Sequence, residues 1–290
     1  MTRKLVALAF AALSIAGGVI KDEARLTDLR WTGGKDLVLR GPAATGRGRE
    51  VDVRVTTRTD PIRYKNRLAF YRLAVALGSH VVPLTELRAM PLAELLAALG
   101  KDPSGQAVAR RDMAVLNDGT VIVLISDALG AGREVELDNG AEARTWRAWA
   151  EGRASIPEER QRMASDYVET LMLDYLSGNP TRTTVVIGAA NASIHLVDNG
   201  DAFPERLEPG ALDGLLARLR RVTRFPRGFT RNLRSFDRAT ADAALHSGTF
   251  ATWLLHVRSL SELFERKEAL LSLVEARRAE LGDEVAMALP

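Results

Sequence analysis

The stretch that decides the fold runs Asp174-Tyr-Leu-Ser-Gly-Asn-Pro-Thr-Arg-Thr-Thr-Val-Val-Ile187 and is followed by Ile194-His-Leu-Val-Asp-Asn-Gly200. Its pattern predicts a helix end, a polar turn and two short strands, with Asp198 at the end of the second strand. Open sheets bind ligands at such strand ends, although Asp-Asn-Gly is also a good turn in its own right. The combination with Gly178-Asn179 and Arg182 favours a ligand site.

The composition is that of an ordinary globular protein. Of the 290 residues, 46% are hydrophobic and 27% are charged, and the net charge is +3. Most basic residues are arginines interleaved with Asp and Glu, without a basic stripe rich in aromatic residues, which argues against nucleic-acid binding. The chain has no cysteine, which excludes disulfides, thiolate zinc sites and cysteine nucleophiles. Its four histidines lack the spacing of metal ligands.

The N-terminus predicts an export signal. Arg3-Lys4 precedes the apolar run Leu5–Ile15, and the small residues Ala16-Gly-Gly18 follow it. The run is short for a membrane span. We therefore predict a signal peptide over residues 1–18 and an exported protein, periplasmic or secreted, with no stable membrane span after cleavage. The alternative is a buried first helix or strand.

The hydrophobic pattern changes along the chain from strands to helices. Residues 19–126 are predicted to form a β-rich lobe with a glycine-rich loop over Gly41–Gly48 and one main helix at Tyr64–Leu77. A short helix over Leu92–Leu99 and then a polar loop are predicted near the end of this lobe. Residues 127–290 are predicted to form a helical lobe with a short strand pair. The fold class is therefore α+β, with two lobes and a cleft between them.

Two features of the first lobe could contact phosphate. The glycine-rich loop contains Gly41, Gly46 and Gly48, and backbone amides of such loops can bind phosphates. A turn between two strands needs no ligand, however. Arg54 on the following strand would supply a cation near the loop, although exposed arginines are common on strands.

These stretches together resemble the atypical kinases, the group that contains the secretory-pathway casein kinases, the HipA-type toxin kinases and the phosphoinositide kinases. The stretches that carry the resemblance are Lys65–Gly78 with Val81-Val-Pro83, Asp174–Arg182, Leu196–Gly200 and the helical tail Phe225–Pro290. The resemblance implies a bilobed kinase-like fold, ATP with Mg²⁺ or Mn²⁺ as cofactors, and Asp198 as a metal ligand. The nucleotide site that it implies comprises Gly41, Gly46, Gly48, Arg54, Arg67 and Asn179.

The chain departs from the pattern of this group at the residues that carry the chemistry. The pattern Gly-Asn-x-Asp-Arg-His-x-x-Asn places Thr181 at the catalytic Asp, Thr183 at the His and Val186 at the metal-binding Asn. Arg67 stands at the helix Glu, and Arg54 stands at the strand Lys. Threonine does not accept a proton at neutral pH, valine does not bind Mg²⁺, and an arginine in place of the Glu would repel a cation on the strand. The departures predict a degenerate site.

Three functions follow as hypotheses. The leading one is an exported pseudokinase that binds nucleotide weakly or not at all and acts through a partner, an unidentified protein or a small-molecule acceptor. The alternative is an active phosphotransferase or nucleotidyltransferase with a rearranged site. In that site Asp198 would hold the metal, Asp174 or Asp201 would replace the missing carboxylate, and Arg182 and Arg54 would contact phosphates. The third is an exported helical binding protein without nucleotide.

The kinase-like hypotheses predict a specific architecture. Thr181 and Asp198 should lie on neighbouring segments of the larger lobe, facing Arg54 and the Gly41–Gly48 loop across a cleft. If Thr181 and Val186 are the decisive losses, Thr181→Asp with Val186→Asn should restore more phosphotransfer than Thr181→Asp alone.

Overall fold

The computed structural model describes residues 25–33, 37–44, 49–130, 132–188, 192–245 and 254–290. The predicted signal peptide over residues 1–18 lies outside the described residues, as do Gly46 and Gly48. Within the ranges that are described, no helix combines the length and the apolar character needed to cross a membrane.

The first part of the chain forms an antiparallel sheet of six strands. They are β1 (Arg25–Leu26), β2 (Arg30–Trp31), β3 (Val38–Ala44), β4 (Arg49–Val55), β5 (Thr85–Pro91) and β6 (Thr120–Asp127). The order across the sheet is β1-β3-β4-β6-β5, and β2 also pairs with β3. Successive side chains of a strand point to opposite faces, so β4 buries Val51, Val53 and Val55 and turns Asp52 and Arg54 towards the second lobe.

The main helix of the first half is α1, Arg63–Ala76, within one residue of its predicted bounds at each end. Three large apolar side chains on α1 belong to the same buried cluster as the C-terminal helices: Leu68, Phe70 and Leu73. The sequence predicts that this helix belongs to the first lobe, whereas its apolar face packs on the second. Residues four apart share a helix face, so Arg63 and Arg67 lie together on α1.

Two short helices cover the buried face of the first sheet. Helix α2 spans Leu92–Ala98, in agreement with the sequence. Helix α3 spans Pro103–Asp112, where the sequence predicts a polar loop. The helix forms because the Asp102 side chain accepts a hydrogen bond from the Gly105 amide (2.9 Å) and because proline suits the first helical turn.

The second part of the chain is mainly helical. Its helices are α4 (Gly140–Ala150), α5 (Gln161–Ser177), α6 (Asp213–Leu219), α7 (Arg227–Ser235), α8 (Arg238–Leu245), α9 (Val257–Leu281) and α10 (Asp283–Ala286). The strands β7 (Arg133–Glu136), β8 (Thr184–Ile187) and β9 (Ile194–His195) form a small antiparallel sheet in that order. Helix α5 is buried along nearly its whole length and ends at the candidate site. The α+β, two-lobed prediction is confirmed.

A buried carboxyl group joins the end of α1 to α5. Glu169 on α5 accepts hydrogen bonds from the hydroxyl of Ser79, three residues after α1, and from that of Ser165 (3.2 Å). Burial raises the pKa of Glu169 to about 7, although the Ser79 hydroxyl opposes this rise. The charge of Asp166 raises the pKa further, and that of Arg162 lowers it. The protonated form of Glu169 therefore suits the folded state.

Glu169→Gln should remove a pH-dependent part of the stability. The ordinary pKa of this carboxyl is 4.5, so the folded chain binds more protons than the unfolded chain between pH 4.5 and about 7, and stability falls as pH rises through that window. Between pH 4 and pH 8, the free energy of unfolding of the wild type should fall by on the order of 3 kcal/mol more than that of Glu169→Gln. Urea unfolding at each pH measures this. A pH-independent difference, or the same trend in the exposed control Glu134→Gln, would contradict it.

Candidate functional site

The polar turn after α5 is fixed by backbone geometry. Gly178 ends α5 in the left-handed conformation (φ 65°), which costs glycine little, and the Asn179 amide donates to the Asp174 carbonyl (2.8 Å). Thr181 is exposed at the turn. Its hydroxyl donates to Asn179 Oδ1 (3.0 Å) and lies 3.4 Å from Asp201 Oδ2. Thr181, which the resemblance places at the catalytic Asp, is thus solvent-accessible and next to an acid.

A buried arginine holds this turn against the rest of the lobe. Arg182 Nε lies 2.8 Å from Asp174 Oδ2, and these side chains are 4% and 2% exposed. The same guanidinium donates from Nη1 to the Asp198 carbonyl (3.2 Å) and from Nη2 to Asn199 Oδ1 (2.7 Å). Its carbon Cζ lies 5.5 Å from the centre of the Phe70 ring. Arg182 therefore joins α5, α1 and the segment that carries Asp198.

These contacts correct three predicted site residues. Asp174 cannot serve as the replacement carboxylate, because it is buried beside Arg182; burial raises its pKa while the charge of Arg182 lowers it. Arg182 does not face a phosphate position, since all three of its nitrogens donate within the protein. Asn179 is 3% exposed and contacts Asp174 and Thr181 instead of lining a nucleotide site.

Two arginines of α1 pair with acids of the second lobe. Arg67 Nη2 lies 3.2 Å from Asp198 Oδ1. One turn earlier on the same face, Arg63 pairs with Asp201. Arg63 and Arg67 are four residues apart on the helix, and Asp198 and Asp201 are three residues apart on the segment that faces it. The two spacings match, so both ion pairs form together. We call this pair of contacts the α1 clamp.

Gly200 explains how the helix approaches this segment. A Cβ atom at residue 200 would lie 2.8 Å from Arg63 Nε, so any larger residue would displace the arginine. Asn66 Nδ2 donates to the Gly200 carbonyl (3.2 Å) between the two ion pairs. The Asp-Asn-Gly run is therefore a contact surface for α1 as well as a turn.

Asp198 is ionised and its charge is compensated by arginines. Burial alone would raise the pKa of Asp198, but the charge of Arg67, the Gly200 amide and the charge of Arg54 together lower it below its usual value. The sequence predicts that Arg67 would repel Arg54. In the structure Asp198 is the counter-ion of both.

Gly41 of the predicted glycine loop lies in a strand. It is inside β3, opposite Val51 of β4, and Arg54 pairs with Val38 at the start of β3. Residues 45–48 of the predicted loop lie outside the described residues. The prediction is therefore wrong for Gly41, whereas Thr181 and Asp198 do lie on neighbouring segments.

Two described residues flank the segment between β2 and β3. Leu37, immediately before β3, lines a cavity together with Arg54, and Gly33, after β2, has a positive φ of 84°.

The resemblance places Val186 at a metal-binding Asn. Val186 lies in β8 and pairs with His195 of β9, three residues before Asp198 in the chain.

Two candidate oxygen ligands for Mg²⁺ or Mn²⁺ are engaged within the protein. The carboxylate of Asp198 pairs with Arg67, and the side-chain oxygen of Asn199 accepts from Arg182. Across the described part of the chain, no group of three His, Asp or Glu side chains is placed to hold a metal ion.

The space between the lobes is small. Two cavities flank Arg54 and Arg67, each of about 30 Å³. The one on the second-lobe side is lined by Leu124, Val82 and Leu196, among others. A water needs roughly 10–15 Å³ by this measure, whereas sites for small-molecule ligands span about 300–1,000 Å³. Neither cavity holds a nucleotide without movement of the lobes.

Arg182→Gln should strongly destabilise the protein. It leaves the buried Asp174 without its charged partner, so we expect a loss of about 3–5 kcal/mol in the free energy of unfolding. Denaturant unfolding measures this loss, with the exposed Arg221→Gln as the matched control. Adding Asp174→Asn should recover part of the loss, because the unpaired charge is then removed. Equal stabilities for Arg182→Gln and Arg221→Gln would show that Arg182 does not stabilise the fold through the buried Asp174.

No protein-family model matches the chain, and no curated protein sequence matches it. Solved structures do match. A structure of hydra Fam20 with sugar has a TM-score of 0.63 at 16% identity, covering 92% of this chain and 89% of that one. The Golgi casein kinase with Mn/ADP bound has a TM-score of 0.62 at 16% identity, covering 91% and 76%.

A second structure of the Golgi casein kinase gives a TM-score of 0.63 at 16% identity, covering 91% of this chain and 77% of that one. At this level of identity the likeness shows the fold. The resemblance predicted from the sequence is confirmed to that extent. The chain has the bilobed, atypical kinase-like fold of the Fam20 and Golgi casein kinase structures.

Proposed function

We propose that this chain is a pseudokinase, which acts through a partner and does not transfer phosphate. The observation that carries the proposal is the ion pair between Arg67 and Asp198 (3.2 Å). The resemblance implies that Asp198 is a metal ligand, and a guanidinium pairs with its carboxylate in this chain. The neighbouring Arg54 adds a second positive charge.

The expected losses in rate favour an absence of phosphotransfer activity. Phosphoryl transfer depends on positioning and on stabilising the charge of the transferred group, and metal ions supply much of that stabilisation. The loss of a general base at Thr181 accounts for a factor of roughly 10²–10⁴. The loss of the metal adds to this factor, and the cavities beside Arg54 leave little room for a nucleotide.

A groove beside Thr181 supports a role in binding a partner. It has a volume of about 470 Å³, and its lining includes the apolar side chains of Ile62, Pro180 and Leu207. Ile62 is 52% exposed, so its apolar side chain is open to a partner together with the rest of this lining. A protein partner or a small-molecule acceptor would meet the second lobe here.

One contact favours a second candidate function, an active phosphotransferase with a rearranged site. Asp201 Oδ2 lies 3.4 Å from the Thr181 hydroxyl, and the Asp201 side chain is 52% exposed. This carboxylate could take the role of the missing base. Its ion pair with Arg63 opposes that role, because the carboxylate is already engaged by a guanidinium.

Wild-type protein should not transfer radiolabelled phosphate from ATP to a generic acceptor, with either Mg²⁺ or Mn²⁺, above the level of Asp198→Asn. Thr181→Asp alone should restore little phosphotransfer, because Arg67 still forms an ion pair with Asp198. Thr181→Asp with Arg67→Glu should restore more, since this change turns a cation into an anion beside Asp198. Thr181→Asp with Lys65→Glu is the matched control, with the same charge reversal elsewhere on α1.

The outcomes separate the two candidates. Robust wild-type turnover that disappears in both Asp198→Asn and Asp201→Asn would overturn the pseudokinase proposal and favour the rearranged enzyme. Equal activity of the Arg67→Glu and Lys65→Glu combinations would show that Arg67 is not the obstacle.

We also propose that the protein is exported. The proposal rests on the charged start, the apolar run Leu5–Ile15 and the small residues up to Gly18, and a structural neighbour from the Golgi is consistent with it. The mature N-terminus should lie near Val19, which N-terminal sequencing of native protein checks. An intact Met1 on cytoplasmic protein would refute export.

A further inference from the structure

Strand β5 forms one edge of the first sheet. The strand order ends at β5, and within the described ranges no other strand pairs with its outer side. An open edge offers its N–H and C=O groups to another strand, and charged residues and prolines usually limit such pairing. The strand has seven residues; Pro83 precedes it, and Pro91 is its last residue. Pairing along this edge is therefore restricted to the stretch between the two prolines.

The register with β6 shows which backbone groups of β5 point outwards. In an antiparallel pair, every second residue exchanges hydrogen bonds with the residue opposite. The Asp127 amide at the end of β6 donates to the Leu84 carbonyl, just before β5 (3.2 Å). Counted from this contact, the even-numbered residues of β5 bond to β6. The backbone groups of Thr85, Leu87 and Ala89 therefore point away from the sheet.

Exposed apolar side chains flank this edge. Leu84 is 41% exposed, and Val75 on α1 is 36% exposed. Val75 lies one turn after Tyr71, whose hydroxyl accepts a hydrogen bond from the Thr85 amide. One outward donor is thus engaged at the start of the edge, with apolar surface beside it. Among the described residues, the outward groups of Leu87 have no hydrogen-bond partner.

Two charged side chains make this edge complementary to itself. Glu86 and Arg88 are two residues apart and so share one face of β5, where Arg88 Nη2 lies 3.4 Å from Glu86 Oε1. If two β5 strands pair antiparallel around a twofold axis at Leu87, Glu86 of each copy stands opposite Arg88 of the other. The same axis places Leu87 opposite itself and Thr85 opposite Ala89. Outward backbone groups then meet outward backbone groups.

The prolines disfavour the neighbouring registers. With the axis at Ala89, Leu87 would face Pro91, which has no N–H to donate. With the axis at Thr85, Leu87 would face Pro83, which also lacks the donor. Neither shift brings the two opposite charges together. Of these three registers, the one centred on Leu87 satisfies both the charges and the backbone groups.

We propose that this chain forms a homodimer in which two β5 edges pair antiparallel around a twofold axis at Leu87. The partner is a second copy of the chain, because its edge supplies both the opposite charges and the backbone groups that match this edge. The two sheets would then continue into each other across a symmetric interface. The dimer depends neither on nucleotide nor on the proposed absence of phosphotransfer, so the two proposals can fail separately.

Charge reversal tests the register, and sedimentation equilibrium of the full chain over a range of concentrations measures dimerisation. Glu86→Lys makes both charges of the edge positive, and Arg88→Glu makes both negative. Each variant alone should dimerise about 10-fold or more weakly than wild type, because like charges then face each other twice across the axis. An equimolar mixture of the two variants should recover dimerisation. Neither variant keeps the ion pair within its own chain, so the recovery requires a contact between chains.

Two further variants separate the interface from folding and from net charge. Glu205→Lys reverses an exposed charge on the second lobe and should dimerise like wild type. Ala89→Pro removes an outward N–H without removing a hydrogen bond to β6, and it should weaken dimerisation. Circular dichroism checks that each variant is folded.

A wild-type dimer that both charge variants weaken and their mixture restores would support the interface. A wild type that stays monomeric at every concentration would overturn it, and so would a dimer that Glu86→Lys and Ala89→Pro leave unchanged. Equal weakening by Glu205→Lys and Glu86→Lys would reduce the effect to net charge and overturn the interface. A mixture that dimerises no better than the separate variants would overturn the pairing centred on Leu87.

Discussion

The buried guanidinium of Arg182 determines the shape of the candidate site, because it is bonded to each of the segments that meet there. It pairs with Asp174 at the end of α5, donates to the Asp198 carbonyl and to Asn199, and lies over Phe70 of α1. Taking charges out of water costs several kcal/mol per ion, so the geometry persists only if the pair stays complete. The loop that carries Thr181 is therefore held in place by the buried ion pair between Arg182 and Asp174. The conformation of this loop is therefore independent of which side chain stands at residue 181.

The α1 clamp contributes less to stability than the buried pair of Arg182 and Asp174. Asp198 and Asp201 are each more than half exposed in their side chains, and exposed ion pairs contribute about 0–1 kcal/mol. Each large apolar side chain that α1 buries contributes about 1.5–3 kcal/mol. Packing therefore decides where α1 lies, and the clamp decides the charge that α1 presents. A change at residue 67 should alter the chemistry of the cleft far more than the stability of the fold.

The sequence predicts the elements better than it predicts the site. Periodicity places α1 within one residue of its observed ends and identifies β4, because both elements have one buried face. The glycine-rich loop is wrong because Gly41 and Pro42 look like a turn, although β3 pairs through them with β4. Helix α3 is missed because a cap at Asp102 outweighs a loop-like composition.

Contacts at the site depend on features that a motif does not contain. Asp174 is misassigned because burial cannot be read from a polar residue alone, and Asp174 is matched in the interior by Arg182, eight residues later. The role of Val186 stays a prediction, because residue spacing in a motif does not fix strand register, and register decides which side chains share an edge. The pair Arg67–Asp198 joins residues 131 positions apart, and no local pattern reveals such a contact.

The sign of the charge at residue 67 is the constraint that links these observations. With an acid there, Arg54, residue 67 and Asp198 would together carry one net negative charge, and the site would attract a divalent cation. With arginine they carry one net positive charge, which disfavours a divalent cation. The two departures act at different stages of the reaction. The charge at residue 67 affects whether a metal ion is held beside Asp198, whereas a general base at residue 181 acts only after nucleotide and metal are bound. For the proposed pseudokinase, Arg67 is therefore the earlier obstacle.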